Sequence, residues 1–100
     1  MILYSVTVSI EPAAEAEWLR YMREKHIPEV LASACFSGYK MFKILTTQQE
    51  GECSYSIQYF CKNLDDFERY QRDFAKPLQA DHSKHFENKA FAFRTLLELV

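Results

Sequence analysis

The groups able to do chemistry in this 100-residue chain are three histidines, one strand-borne arginine and a series of small hydroxyl residues. His26 stands where a helical stripe approaches Pro28, and the negative end of a helix dipole favours an imidazolium there. It serves either as a general acid or base or as a capping cation that holds the following loop. Arg94 is a charge in the middle of an alternating strand. It meets either a ligand carboxylate or carbonyl, or an acidic side chain across the sheet or an interface. His82 and His85 are three residues apart, a helical spacing that can hold a metal from one face. Two imidazoles alone make a poor site, and Asp81 is expected to point away from them, so structural or surface roles are expected and no metal. Gln58 both donates and accepts, which suits orienting a ligand. No Ser-His-Asp arrangement is supported, because nothing forms a nucleophile elbow.

These groups are positioned by elements that the periodicity makes plain. Ile2, Tyr4, Val6, Val8 and Ile10 alternate with Ser5, Thr7 and Ser9, a strand pattern. Pro12 suits the first turn of a helix, and Ala14, Trp18, Leu19, Met22 and His26 follow at helical spacing. Ile27 precedes Pro28 and is pushed toward an extended conformation, so that helix is expected to end or kink there. Pro28 then opens a short further turn through Val30 and Leu31. Strands are expected over residues 39–45 and 53–61, joined by a polar hairpin loop at 46–52. Asn63 with Asp66 forms a helix N-cap with a reciprocal acid, and Leu64, Phe67, Tyr70 and Phe74 give the helical stripe. Pro77 is expected to break or kink that helix, with Leu78, His82, His85 and Phe86 continuing on one face. The last strand runs from Phe91 to the terminus. The order βαββαβ is the ferredoxin-like, split βαβ arrangement, an α+β fold with a four-stranded antiparallel sheet and both helices on one face.

The strand faces carry most of the functional information. The even face of the first strand and the odd face of the third are apolar apart from tyrosine hydroxyls, so they must pack under the helices. Tyr55 and Tyr59 are read as core on that basis, and Trp18 and Tyr70 as core on the inner faces of their helices. The uncovered face is expected to carry Leu3, Ser5, Thr7, Ser9, Ser54, Ser56, Gln58 and Phe60, with Ala92, Arg94, Leu96 and Val100 from the last strand. A wet open sheet is one reading of this face. An RNA-recognition surface is another, but stacking rings are wanted where Ser54, Ser56 and Gln58 stand. The third is a homodimer whose two sheets enclose a chamber, with Ser5, Thr7, Ser54, Ser56, Gln58 and Arg94 binding a small molecule. The third is the reading adopted.

Composition bounds the alternatives. Twelve Lys and Arg against fourteen Asp and Glu leave a net charge of −2, which argues against a sequence-independent grip on nucleic acid. The two glycines, Gly38 and Gly51, are too far apart for a Gly-rich phosphate loop, and no acylphosphatase-like anion loop is present. Cys35, Cys53 and Cys61 have no metal-like spacing. On one strand Cys53 and Cys61 would lie roughly 26 Å apart, too far to bridge. Reduced, mostly buried thiols are expected. The opening residues lack a basic segment and a small-residue cleavage site, and no apolar run approaches bilayer length. A soluble cytoplasmic protein with no membrane partner is expected.

The pattern resembles the dimeric α+β barrel superfamily, which includes small cofactor-free monooxygenases, muconolactone isomerases and stress-response barrels. More closely it resembles a small bacterial family, domain of unknown function 4286. The residues that carry the resemblance are the opening strand, then Trp18 with Tyr21-Met22 and His26-Ile27-Pro28, then Tyr55-Ser56-Ile57-Gln58-Tyr59. Tyr70, Leu78, His82 and Phe86 follow, with Phe93-Arg94-Thr95-Leu96-Leu97-Glu98 at the end. The resemblance covers nearly the whole chain, a single domain of residues 1–100. It implies a homodimer with a ligand chamber in each subunit and no particular reaction.

Two functions from different classes follow. The first is a homodimer that senses or sequesters a small molecule. The second is a cofactor-free oxygenase or isomerase, in which Arg94 stabilises an enolate and His26 moves a proton. That mechanism requires Arg94 and His26 to reach one cavity. A dimeric interaction module without a ligand is the structural alternative.

Overall fold

The computed structural model describes residues 1–46, 51 and 53–100. Most of the expected hairpin loop at 46–52 lies outside the described residues. Strand β1, Ile2–Ile10, is central and pairs along its whole length on both sides. Antiparallel β3, Cys53–Cys61, runs from Ile2 opposite Cys61 to Ile10 opposite Cys53. Antiparallel β4, Ala90–Glu98, runs from Ile2 opposite Glu98 to Ile10 opposite Ala90. Strand β2, Gly38–Lys43, pairs antiparallel with β3, and the sheet order is β2-β3-β1-β4. This is the α+β, ferredoxin-like arrangement anticipated from the element order.

The first helical arm is longer and less regular than its prolines suggest. Pro12 opens a short 3-10 turn, Pro12–Ala14, which leads into α1, Glu15–Tyr21. The chain does not end or break at Ile27-Pro28. A π-helical turn, Met22–His26, joins α1 to α2, Ile27–Ala32, and the Ile27 N–H bonds the Met22 carbonyl five residues back. Pro28, which has no N–H and would crowd a regular turn, sits just past this widened segment.

Helix α3, Leu64–Asp73, begins as expected, with the Asn63 side chain accepting from the Asp66 N–H at 2.9 Å. The break before α4, Ala75–His85, falls at Phe74 (φ −129°, ψ −33°), ahead of Pro77. Pro77 occupies the first turn of α4, where backbone N–H groups have no intrahelical acceptor and its missing donor is harmless. The core lies between these helices and one face of the sheet. Tyr4, Val8, Ile10, Ile57, Tyr59 and Cys61 supply the sheet side; Trp18, Met22, Ile27, Val30, Phe67 and Tyr70 supply the helix side. Tyr4 is its aromatic hub, with the rings of Phe36, Tyr59, Phe67 and Tyr70 centred 5.1 to 6.1 Å away. Cys35 and Cys61 are buried and free, and Cys53 is half-buried and free.

Strand β4 overturns one expectation. Its even residues stand beside the even residues of β1: Ala92 opposite Val8, Arg94 opposite Val6 and Leu96 opposite Tyr4. Arg94 therefore belongs to the helix side of the sheet, together with Ala92 and Leu96. The open face receives Phe91, Phe93, Thr95 and Leu97, opposite Ser9, Thr7, Ser5 and Leu3. Val100 lies past the strand end. The register is set where the chain enters β4. Asn88 takes a left-handed φ of 63°, and the Lys89 and Ala90 N–H groups both bond the Phe86 carbonyl, which starts the ladder at Ala90 opposite Ile10.

Candidate functional site

The register gathers His26, His82 and Arg94 on one cavity, between the sheet and the helices. Val6, Val8, Ile57 and Met22 give its apolar walls, Tyr59 and Ala92 close the sheet side, and the three basic side chains line the remainder. Its volume is about 30 Å³, room for one or two water-sized groups. A wider pocket of about 260 Å³ adjoins it, sharing His82, Ala92 and Arg94 and continuing past Phe86 and Asn88. Arg94 and His82 are thus the polar residues that span the inner and outer spaces. Arg94 also approaches the Tyr4 phenol: burial raises that group's pKa, and the Arg94 guanidinium partly opposes the rise.

His26 is not a charged helix cap. Burial first, and the nearby His82 second, hold its pKa down at about 4, so the ring is neutral near pH 7. Its Nδ1 is buried with no hydrogen-bond partner among the described residues, a condition that costs about 1–3 kcal/mol when left uncompensated. His82 is likewise held at about 4, by burial and then by the Arg94 charge. Its Nε2 accepts from the Trp18 indole N–H at 3.0 Å. Asp81 does not point away from the histidine pair. Its carboxylate lies 3.6 Å from His85 Nδ1, accepts from Lys25 at 3.0 Å and accepts from the Tyr21 hydroxyl. These contacts fasten α4 to the α1–π-turn arm beside the cavity. No group of three or more metal-ligating side chains occurs among the described residues.

Two half-buried rings that are neutral when folded make stability depend on pH in a definite direction. Unfolded histidine takes up its proton near pH 6.5, while these rings do so near 4. As pH falls the unfolded chain gains protons first, so stability is complete above about 6.5 and declines toward 4. The expected loss is on the order of 2–5 kcal/mol for the pair. Urea unfolding midpoints should fall through this range while NMR of the folded protein still shows two neutral imidazoles, which protonate only near pH 4. A flat midpoint down to pH 5 would contradict the burial of both rings.

The remaining sequence-predicted residues lie elsewhere. Ser5, Thr7, Ser54, Ser56 and Gln58 share the open face of the sheet, on the other side from His26 and Arg94. Ser9 Oγ and Ser54 Oγ are 3.1 Å apart, and Ser5 Oγ and Ser56 Oγ are 3.5 Å apart, so some hydroxyls satisfy one another across strands. Around them the face is apolar: Phe42, Phe91, Phe93 and Leu97 are 48%, 67%, 63% and 44% exposed. Tyr55 is a core residue whose hydroxyl donates to Glu15 at 2.6 Å, and burial with this bond pushes its pKa up to about 12. His82, a lining residue of the cavity, and Trp18, which bonds it from the core, are the residues whose connection the spacing did not disclose. Both fall on inner helical stripes, but nothing in the sequence pairs residues 64 positions apart.

No helix among the described residues is long and apolar enough to cross a membrane. No curated protein matches the chain at a significant level. Several solved structures share the fold at low identity. HapK from Hahella chejuensis superposes with a TM-score of 0.71 at 10% identity, covering 100% of this chain and 93% of its own. An ethyl tert-butyl ether d (ethd) family protein from Bacillus halodurans gives 0.69 at 12% identity, with both chains covered in full. SnoaB, a cofactor-independent oxygenase from Streptomyces nogalater, gives 0.62 at 10% identity, covering 98% of this chain and 92% of its own. These likenesses establish the ferredoxin-like fold. The sequence match spans residues 1–100, and the chain belongs to the family described as Domain of unknown function (DUF4286).

Proposed function

We propose that the protein is a homodimer that binds a small organic molecule in the wider pocket, with a polar group of the ligand reaching into the adjoining cavity between sheet and helices, and with the open face of the sheet as its interface. The observation that carries the binding half is the meeting of His26, His82 and Arg94 on one cavity. One of these groups, His26, has a buried nitrogen without a partner among the described residues, and a bound polar atom would satisfy it. The dimer half is supported by the exposed aromatic and aliphatic side chains that gather on the open face, since contiguous apolar patches rimmed by polar residues mark interaction surfaces. Ser5, Thr7, Ser54, Ser56 and Gln58 then form the polar middle of the interface, and the ligand site moves to the helix side. The cytoplasm remains the proposed compartment.

A second reading, a cofactor-free enzyme of the oxygenase or isomerase kind, is favoured by one observation: Arg94 and His26 do line the same cavity. Against it stands the weak basicity of His26, held at about 4, far from the value that suits a general base near neutrality. Binding is therefore the preferred reading.

Native mass spectrometry of freshly purified protein tests it. The expected spectrum is a dimer that retains a small-molecule mass, with Arg94→Gln a dimer that has lost it. A dimer that retains nothing overturns the binding half in favour of an interaction module. A strict monomer at micromolar concentration overturns the interface.

A further inference from the structure

The Trp18–His82 contact specifies what kind of ligand group the pocket can accept. An indole N–H can only donate, so the His82 Nε2 that receives it at 3.0 Å must be the unprotonated nitrogen. The single proton of the neutral ring is then on Nδ1, and His82 has a donor left to offer. Trp18 itself is fully buried, so this tautomer is set from inside the core and does not depend on solvent. Arg94, the other polar group common to the inner cavity and the outer pocket, is a donor fork with no acceptor. Two donors at the junction call for an acceptor. Glu87 on the wall of the outer pocket weighs against a multiply charged anion such as phosphate.

We propose that the junction of the two spaces takes the carboxylate of a small organic acid, held by the Arg94 guanidinium and by His82 Nδ1–H, with Trp18 as the positioning residue that fixes the His82 tautomer. The acid's carbon skeleton lies in the outer pocket, against Phe86 and Ala90. The low pKa of His82 keeps the ring in its neutral, single-donor form near pH 7. This inference rests on the ligand-binding reading above and adds to it the chemical class of the ligand.

The test uses the full chain with 15N-labelled histidine, benzoate as the probe, and benzylamine and inorganic phosphate as comparisons. Long-range 1H–15N spectra of the free protein should show His82 unprotonated at Nε2 and protonated at Nδ1. Benzoate should bind saturably and shift the Nδ1 signal, while benzylamine and phosphate should not. Trp18→Phe should mix the two tautomers and weaken benzoate about tenfold. Arg94→Gln should weaken it about tenfold or more with the tautomer unchanged. A His82 protonated at Nε2 in the wild type overturns the proposal, and this readout needs no variant to fold. So does a wild type that fails to bind benzoate, or that binds benzylamine or phosphate equally well. If native spectra show a retained neutral or cationic molecule while benzoate does not bind, the carboxylate assignment fails and the binding function stands. If nothing is retained and benzoate does not bind, both fail.

Discussion

Replacing Phe93 by Glu is expected to turn the proposed dimer into a monomer without unfolding the chain. Phe93 lies opposite Thr7 near the middle of the open face and is 63% exposed in the single chain. In that chain the substitution removes little buried surface, so its direct effect on stability should stay within about 1 kcal/mol. In a two-fold interface each change occurs twice. Every copy loses an aromatic contact and places an unpaired carboxylate on a surface that must be desolvated, which costs several kcal/mol per site. The dimer dissociation constant should rise by about a thousandfold or more. Sedimentation velocity across a concentration series reads this directly, with far-UV circular dichroism as the check on fold. Glu68→Lys, on the exposed side of α3, should leave the association state unchanged. A Phe93→Glu protein that sediments like the wild type would remove the sheet face from the interface.

The largest expected loss of stability comes from Trp18→Ala. Trp18 is completely buried and stacks at a tilt on Tyr55, with ring centroids 5.1 Å apart. Its removal opens a large void between α1 and the sheet, and it also strips His82 Nε2 of its donor. Large-to-small aromatic changes in cores cost about 3–5 kcal/mol, a large share of what a domain this size has to lose. Urea unfolding at one fixed protein concentration is the appropriate measurement, because association adds to apparent stability. Trp18→Phe should lose clearly less than Trp18→Ala. A Trp18→Ala midpoint within about 1 kcal/mol of the wild type would mean that the core does not close on this residue.

Both residues show how far local pattern reaches. Trp18 was legible as core because a helical stripe repeats every three to four residues and needs no knowledge of its partner. Its hydrogen bond to His82 was not, since the two are 64 residues apart in sequence. The π turn that carries His26 was equally hidden: Pro28 signals a disturbed helix, but a break and a widened turn give the same sequence signal. His26 was expected to carry charge because a helix end is a local feature. Burial decided otherwise, and burial is a property of everything packed around the ring.

The sequence by itself determined the order of strands and helices, the α+β class, the Asn63 cap and the faces of β1 and β3. Each of these rests on spacing within one segment, or on a strand with one side uniformly apolar. Only the tertiary structure decided the faces of β4. Phe91, Phe93 and Leu97 alternate with Ala92, Arg94 and Leu96, so both sides carry apolar groups and period-two patterning cannot say which meets the helices. The turn at Asn88 and the pairing of Ala90 with Ile10 made that choice. A shift of one residue would have exchanged the two faces. As it stands, the register brings Arg94 to His26 and His82 and leaves the phenylalanines on the open side of the sheet.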